Sequence, residues 1–126
     1  MPFTDFLETK LVSHTFSATA YTSPSTVYVA LYTVAPTDST TGTEVSGGGY
    51  ARHSASFTTT GNAATNASAI EYPTATGNYG TVVAVAILDA SSSGNMLAYA
   101  TLSASKTIST GDVFRIPAGD LDITLD

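Results

Sequence analysis

Cysteine is absent from the 126 residues, which removes disulfides, thiol catalysis and Cys-ligated zinc together. Cations are scarce: Lys10, Arg52, Lys106 and Arg115 stand scattered against ten acidic residues, for a net charge of −6. Phosphate binding needs clustered cations, so no nucleic-acid partner is expected. Only 11% of residues are charged, against roughly 25% in ordinary soluble proteins. The longest apolar run is the stretch Val82 to Leu88, far short of a membrane span. The opening residues MPFTDFLETK lack the apolar region of a secretory signal, so Sec export is not expected. Tryptophan is missing and no G-x-S-x-G elbow occurs, which takes away the usual hydrolase nucleophile turn.

Polarity comes instead from 22 Thr and 15 Ser, with 18 Ala and 10 Gly. Thr favours strands, and Ser and Gly favour turns. One domain over 1–126 is expected, with a helical arm at 1–20 and a β-sandwich at 25–126. Pro2 to Phe16 reads as a helix with Phe3, Phe6, Leu7 and Leu11 on one face. Asp5 or Thr4 is placed to cap it. A helix this short is marginal alone, so that face must cover either its own sheet or a neighbour.

The period then changes to two. Thr26 to Val34 carries Val27, Val29 and Leu31 on one face and Tyr28, Ala30 and Tyr32 on the other, which predicts a strand covered on both sides. Thr37 to Tyr50 reads as the longest loop, with Gly42 and the run Gly47-Gly48-Gly49. Such a run marks a backbone that bends sharply or passes close to another chain. Weaker strands are expected at 51–59 and 65–72, and the strongest at Tyr79 to Asp89. Met96 to Leu102 returns antiparallel after a turn at 91–95. Lys106 to Ser109 and Val113 to Ile116 read as a further hairpin. In the last stretch Leu121, Ile123 and Leu125 point inward, Asp122 and Thr124 outward. The pattern predicts an all-β fold: an antiparallel β-sandwich, jelly-roll-like, of about seven or eight strands after one short helix.

No constellation points to catalysis. His14 sits on the last helical turn and His53 follows Arg52 in a strand. Asp120, Asp122 and Asp126 line up along the last strand, and Asp38 or Asp112 could add oxygens for Ca²⁺. A solvated acidic edge is the simpler reading, because charges protect strand edges. No metal or cofactor is therefore assigned. Asn66-Ala67-Ser68 is formally a glycosylation sequon. Of the seven tyrosines, Tyr28, Tyr32, Tyr72, Tyr79 and Tyr99 fall in or beside strands. Tyr21 and Tyr50 fall in loops and are the better contact candidates.

The segments YVALYT (28–33), GTEVSGGGYAR (42–52), YPTATGNYGT (72–81), SKT (105–107) and AGDLDITLD (118–126) together resemble a family of small tailed-bacteriophage virion proteins. Its members are known as tail fibre or head-decoration proteins. The resemblance runs from Tyr28 to Asp126 and is most specific in the 42–52 block. It implies a non-enzymatic building block of a phage particle, assembled in the bacterial cytoplasm and resident in the virion. A decoration or cement protein on the outer capsid is favoured, binding the major capsid protein or other virion proteins. A tail fibre or tail-tip protein for host attachment is the alternative. A homo-oligomer is expected, with a trimer favoured. The expected contact residues are the helix face Phe3, Phe6, Leu7 and Leu11, and the loop residues Gly47, Gly48, Gly49, Tyr50 and Arg52. A partner carboxylate is expected for Arg52, since cations are rare here.

Overall fold

The computed structural model describes residues 1–125. One helix, α1 (Asp5–Phe16), precedes ten strands: β1 (Val27–Val34), β2 (Thr43–Glu44), β3 (His53–Ala55), β4 (Phe57–Thr60), β5 (Ala63–Asn66), β6 (Ile70–Glu71), β7 (Gly80–Leu88), β8 (Met96–Ile108), β9 (Arg115–Ile116) and β10 (Asp122–Thr124). All pairings are antiparallel. The main sheet runs β2-β1-β7-β8, with β3 also on β1; smaller sheets are β10-β5-β4 and β6-β9. The expected all-β fold with one N-terminal helix is the fold observed. The described residues form ten strands instead of seven or eight, because segments that read as single strands are split between sheets.

Residues 51–59 show why. The main sheet takes β3, paired to β1 at Val27–Ala55, whereas β4 pairs with β5 in the second sheet. The chain changes sheet at Ser56. The core lies between the sheets. Val29 and Leu31 of β1, Val82, Val85 and Ile87 of β7, and Leu97 and Ile108 of β8 face Ile70, Tyr72, Phe114, Ile116 and Leu121. The opposite face of β1 is also covered, as its two apolar faces required: Ala30 and Tyr32 join Ala84, Ala86, Leu88 and Met96 in a second cluster.

Three local expectations are corrected. Lys106–Ile108 does not open a hairpin with 113–116; it continues β8, pairing with Gly80–Val82 of β7. The turn at 110–112 does form, held by Ser109 N–H donating to Asp112 Oδ2 (2.9 Å). The chain after it crosses to the other layer, where Phe114 and Ile116 are buried and β9 pairs with β6. The 37–50 loop is not free of core: it carries β2 and the buried Val45, whose N–H donates to Leu31 O (2.9 Å). Leu125 is 51% exposed and lines an open groove beside α1 instead of the core.

The helix begins at Asp5, with Thr4 as its cap accepting from Leu7 N–H (3.4 Å). Residues before it are extended, and Phe3 bridges Ala98 of β8. Thr4 N–H donates to Leu97 O (2.9 Å) and Tyr99 N–H to Pro2 O (3.1 Å). The arm thus covers part of the free edge of β8.

Candidate interaction surface

The 42–52 block folds onto itself. Gly42, Gly47, Gly48 and Gly49 all have positive φ, which L side chains adopt at a cost. Gly48 packs against Gly77: a Cβ there would lie 2.6 Å from Gly77 O, and Gly48 O accepts from Thr76 N–H at 2.9 Å. The close backbone approach expected of the glycine run is therefore made within the chain. That turn carries Tyr50 into the core region. Its hydroxyl donates to Glu44 Oε2 (2.7 Å) and accepts from Leu31 N–H (3.0 Å). Its ring stacks on Tyr72 at 6.0 Å and meets Tyr79 edge-on at 5.7 Å.

Arg52 completes the block. Nε and Nη2 donate to both Glu44 oxygens at 2.9 Å, and Nη1 donates to Ala90 O and Ser93 O at 2.8 Å. Its side chain is only 9% exposed. The carboxylate expected from a partner is thus supplied by Glu44 of the same chain. Burial opposes ionisation of Glu44, but hydrogen bonds from Arg52 and Tyr50 and the guanidinium charge outweigh it and hold its carboxyl below the usual range. Burial, followed by the Glu44 charge, pushes Tyr32 up to about 12; burial also raises Tyr50 and Tyr72.

The expected helix face divides in two. Phe6 and Leu7 pack against the protein's own core, and Phe6 also meets Tyr21 edge-on at 6.4 Å. Leu11 and Phe3 instead line an open groove of about 450 Å³ with Met1, Val12, Phe16 and Leu125. None of the helix residues is buried. Val12 is 57% and Phe16 82% exposed. These two, one helical turn apart, were not singled out from sequence. The signal was present: α1 is apolar on two sides, so a single docked face leaves the other uncovered.

Other candidates are engaged locally. His14 Nδ1 accepts from Tyr21 N–H (3.1 Å), and His53 Nδ1 donates to Ser54 O. Asp112 caps its own turn. Asp120 and Asp122 are exposed, and Asp126 lies outside the described residues. The acidic cluster found among the described residues is Asp5, Glu8 and Asp38, with carboxylate oxygens within 4.8 Å of one another. Asn66 of the sequon is 2% exposed. Its amide donates to Ser68 O and Pro117 O and accepts from Leu121 N–H, each at 2.9 Å. That side chain staples loops and is not free for modification.

The fold and its surface define a small antiparallel β-sandwich with a helical arm that leaves apolar side chains facing outward. A family model described as "Podophage GP4 fiber I protein gp80" matches residues 2–124, and the chain belongs to that family. It is a bacteriophage virion structural protein. No curated protein matches the chain.

Proposed function

We propose that the chain is a structural building block of a podophage fibre, working by contact with other virion proteins and with copies of itself. The observation that carries this reading is the match to a fibre-protein family over residues 2–124. Of the two positions left open by sequence, that description favours the fibre over head decoration. The contact surface is the outer side of α1 and the adjoining groove, where Val12, Phe16 and Leu125 are exposed. Scattered exposed apolar residues are ordinary, but grouped ones mark interaction sites. This reading leaves out the 42–52 block, whose Tyr50 and Arg52 make internal bonds. Chemistry on a substrate is not part of this reading.

Electron cryomicroscopy of particles, with this chain tagged, tests the position. Density on a fibre is the expected result; density on the capsid shell overturns it. The surface is tested by Val12→Asp with Phe16→Asp. Both side chains are exposed, so the variant should fold and stay soluble yet be missing from purified particles. Normal incorporation would remove this face from the assembly.

A further inference from the structure

We propose that residues 1–20 form an arm exchanged between copies, so that Phe3 and α1 of one chain dock on the β8 edge of a neighbour. The arm is held to the body by a short set of bonds. Thr4 N–H donates to Leu97 O (2.9 Å), Thr4 Oγ1 to Met96 O (2.6 Å), Tyr99 N–H to Pro2 O (3.1 Å) and Asp5 N–H to Asp38 O (3.0 Å). Phe6 and Leu7 add apolar contact. The partners of these four hydrogen bonds lie on β8 and the loop after β1; the Met1 amino group also reaches Asp122 O of β10 at 3.5 Å, and Met1 packs on the same core cluster as Phe6 and Leu7.

Among the described residues, the connector at 17–26 makes no such bond to the body. Its hydrogen bonds run back to α1: Ser17 and Thr19 N–H to Ser13 O, and Tyr21 N–H to His14 Nδ1. Two features favour its opening. Ala18, directly after the helix cap, sits at φ +55, where glycine is the usual occupant and alanine is strained. Alanine is also the best helix former, so an opened connector lets α1 run on through Ala18 and Ala20 before Pro24 stops it. The Tyr21 hydroxyl is buried without a hydrogen-bond partner, a cost that movement of the connector removes. With residues 17–20 helical and 21–26 extended, the opened connector spans about 26 Å.

The occupant of the vacated edge follows from the same bonds. An undocked arm leaves an unpaired strand edge on β8, and the arm of a second copy satisfies it identically. Exchange therefore needs no new interface, only the high local concentration of an assembly. This deepens the fibre reading and rests on it only for that concentration.

The chain has no cysteine, so Phe3→Cys with Ala98→Cys places one cross-strand pair at the bridge between arm and β8. The full chain is concentrated, sized by light scattering, oxidised and run on a non-reducing gel. The expected result is an oligomer whose disulfides join different chains. A monomer at every concentration, or an oligomer whose disulfides are all intrachain, overturns the proposal. Ala18→Gly in the otherwise unaltered chain is the second arm. It relieves the closed connector and disfavours the helical one, so the oligomer-to-monomer ratio should fall by about fivefold per arm. An unchanged ratio also overturns it. Neither result moves the tagged density on the particle, so failure here and failure of the fibre reading are separate outcomes.

Discussion

Replacing Arg52 by Leu separates a structural from a contact role for the only cation in the 42–52 block. The guanidinium makes four hydrogen bonds, two to Glu44 and two to the carbonyls of Ala90 and Ser93. Its loss leaves the Glu44 carboxylate without its cation and two turn carbonyls without a donor. Breaking a buried ion pair costs about 3–5 kcal/mol. Glu44 keeps 26% of its side-chain surface in water, so the lower end applies, about 3 kcal/mol. In a domain of this size that lowers the melting temperature by roughly 10 °C. Removing both partners, Glu44→Leu with Arg52→Leu, leaves no orphaned charge. The double variant should therefore cost less than the sum of the singles by about 1–2 kcal/mol. Urea unfolding followed by circular dichroism reads all three variants. A loss under about 1 kcal/mol for Arg52→Leu, additive with Glu44→Leu, is the behaviour of an exposed surface pair and would refute the internal-lock reading. Intact stability with lost incorporation into particles would restore Arg52 to the contact surface.

Gly48→Ala should cost about 2–5 kcal/mol, combining a left-handed backbone with a Cβ driven against Gly77 O at 2.6 Å. Gly47→Ala, with nothing within 4 Å of the added carbon, should lose only about 1–2 kcal/mol in the same unfolding assay; equal losses at the two positions would mean the close approach is not tight. The acid limb of stability carries a third expectation. The Glu44 carboxyl is depressed in the folded state, so its contribution is present above its unfolded pKa and fades as pH falls through the lower folded value. Melting temperatures between about pH 5 and pH 2 should fall less steeply for the Glu44→Leu, Arg52→Leu double variant than for the native chain; parallel curves would reject this assignment.

The main sheet was legible because its strands carry strong period-two signals. Thr26 to Val34 has two apolar faces, and both are buried, in two different clusters. Gly80–Leu88 became the sheet centre for the same reason, flanked by β1 and β8. What stayed hidden was pairing at a distance. Lys106–Ile108 and Arg115–Ile116 look like two arms of a hairpin around Thr110-Gly111-Asp112, and the turn does form. The partner of each arm is set by burial of Phe114 and Ile116 in the opposite layer, which local pattern does not encode. Leu125 failed for a related reason: alternation places it on the inner face, but that side of the strand end opens on the groove beside α1 instead of the core.

The partner carboxylate expected for Arg52 is met inside the chain by Glu44, and charge scarcity explains why the sequence pointed outward. In a chain with four cations, an arginine next to a glycine run looks reserved for a partner. Yet a guanidinium can be buried only where a carboxylate meets it, and Glu44 stands eight residues upstream, across the Gly47-Gly48-Gly49 turn. That turn brings β2 and the segment after Tyr50 side by side, so the spacing itself was the signal of an internal pair. The arm obeys the opposite logic. Its acidic residues and its Val12–Phe16 side add nothing to the domain's own core, and a twelve-residue helix with no buried residue contributes little stability by itself. Residues that do not stabilise the chain that carries them are free to serve its neighbours. The block most specific to the family resemblance and the surface proposed to meet other chains are therefore different parts of the sequence.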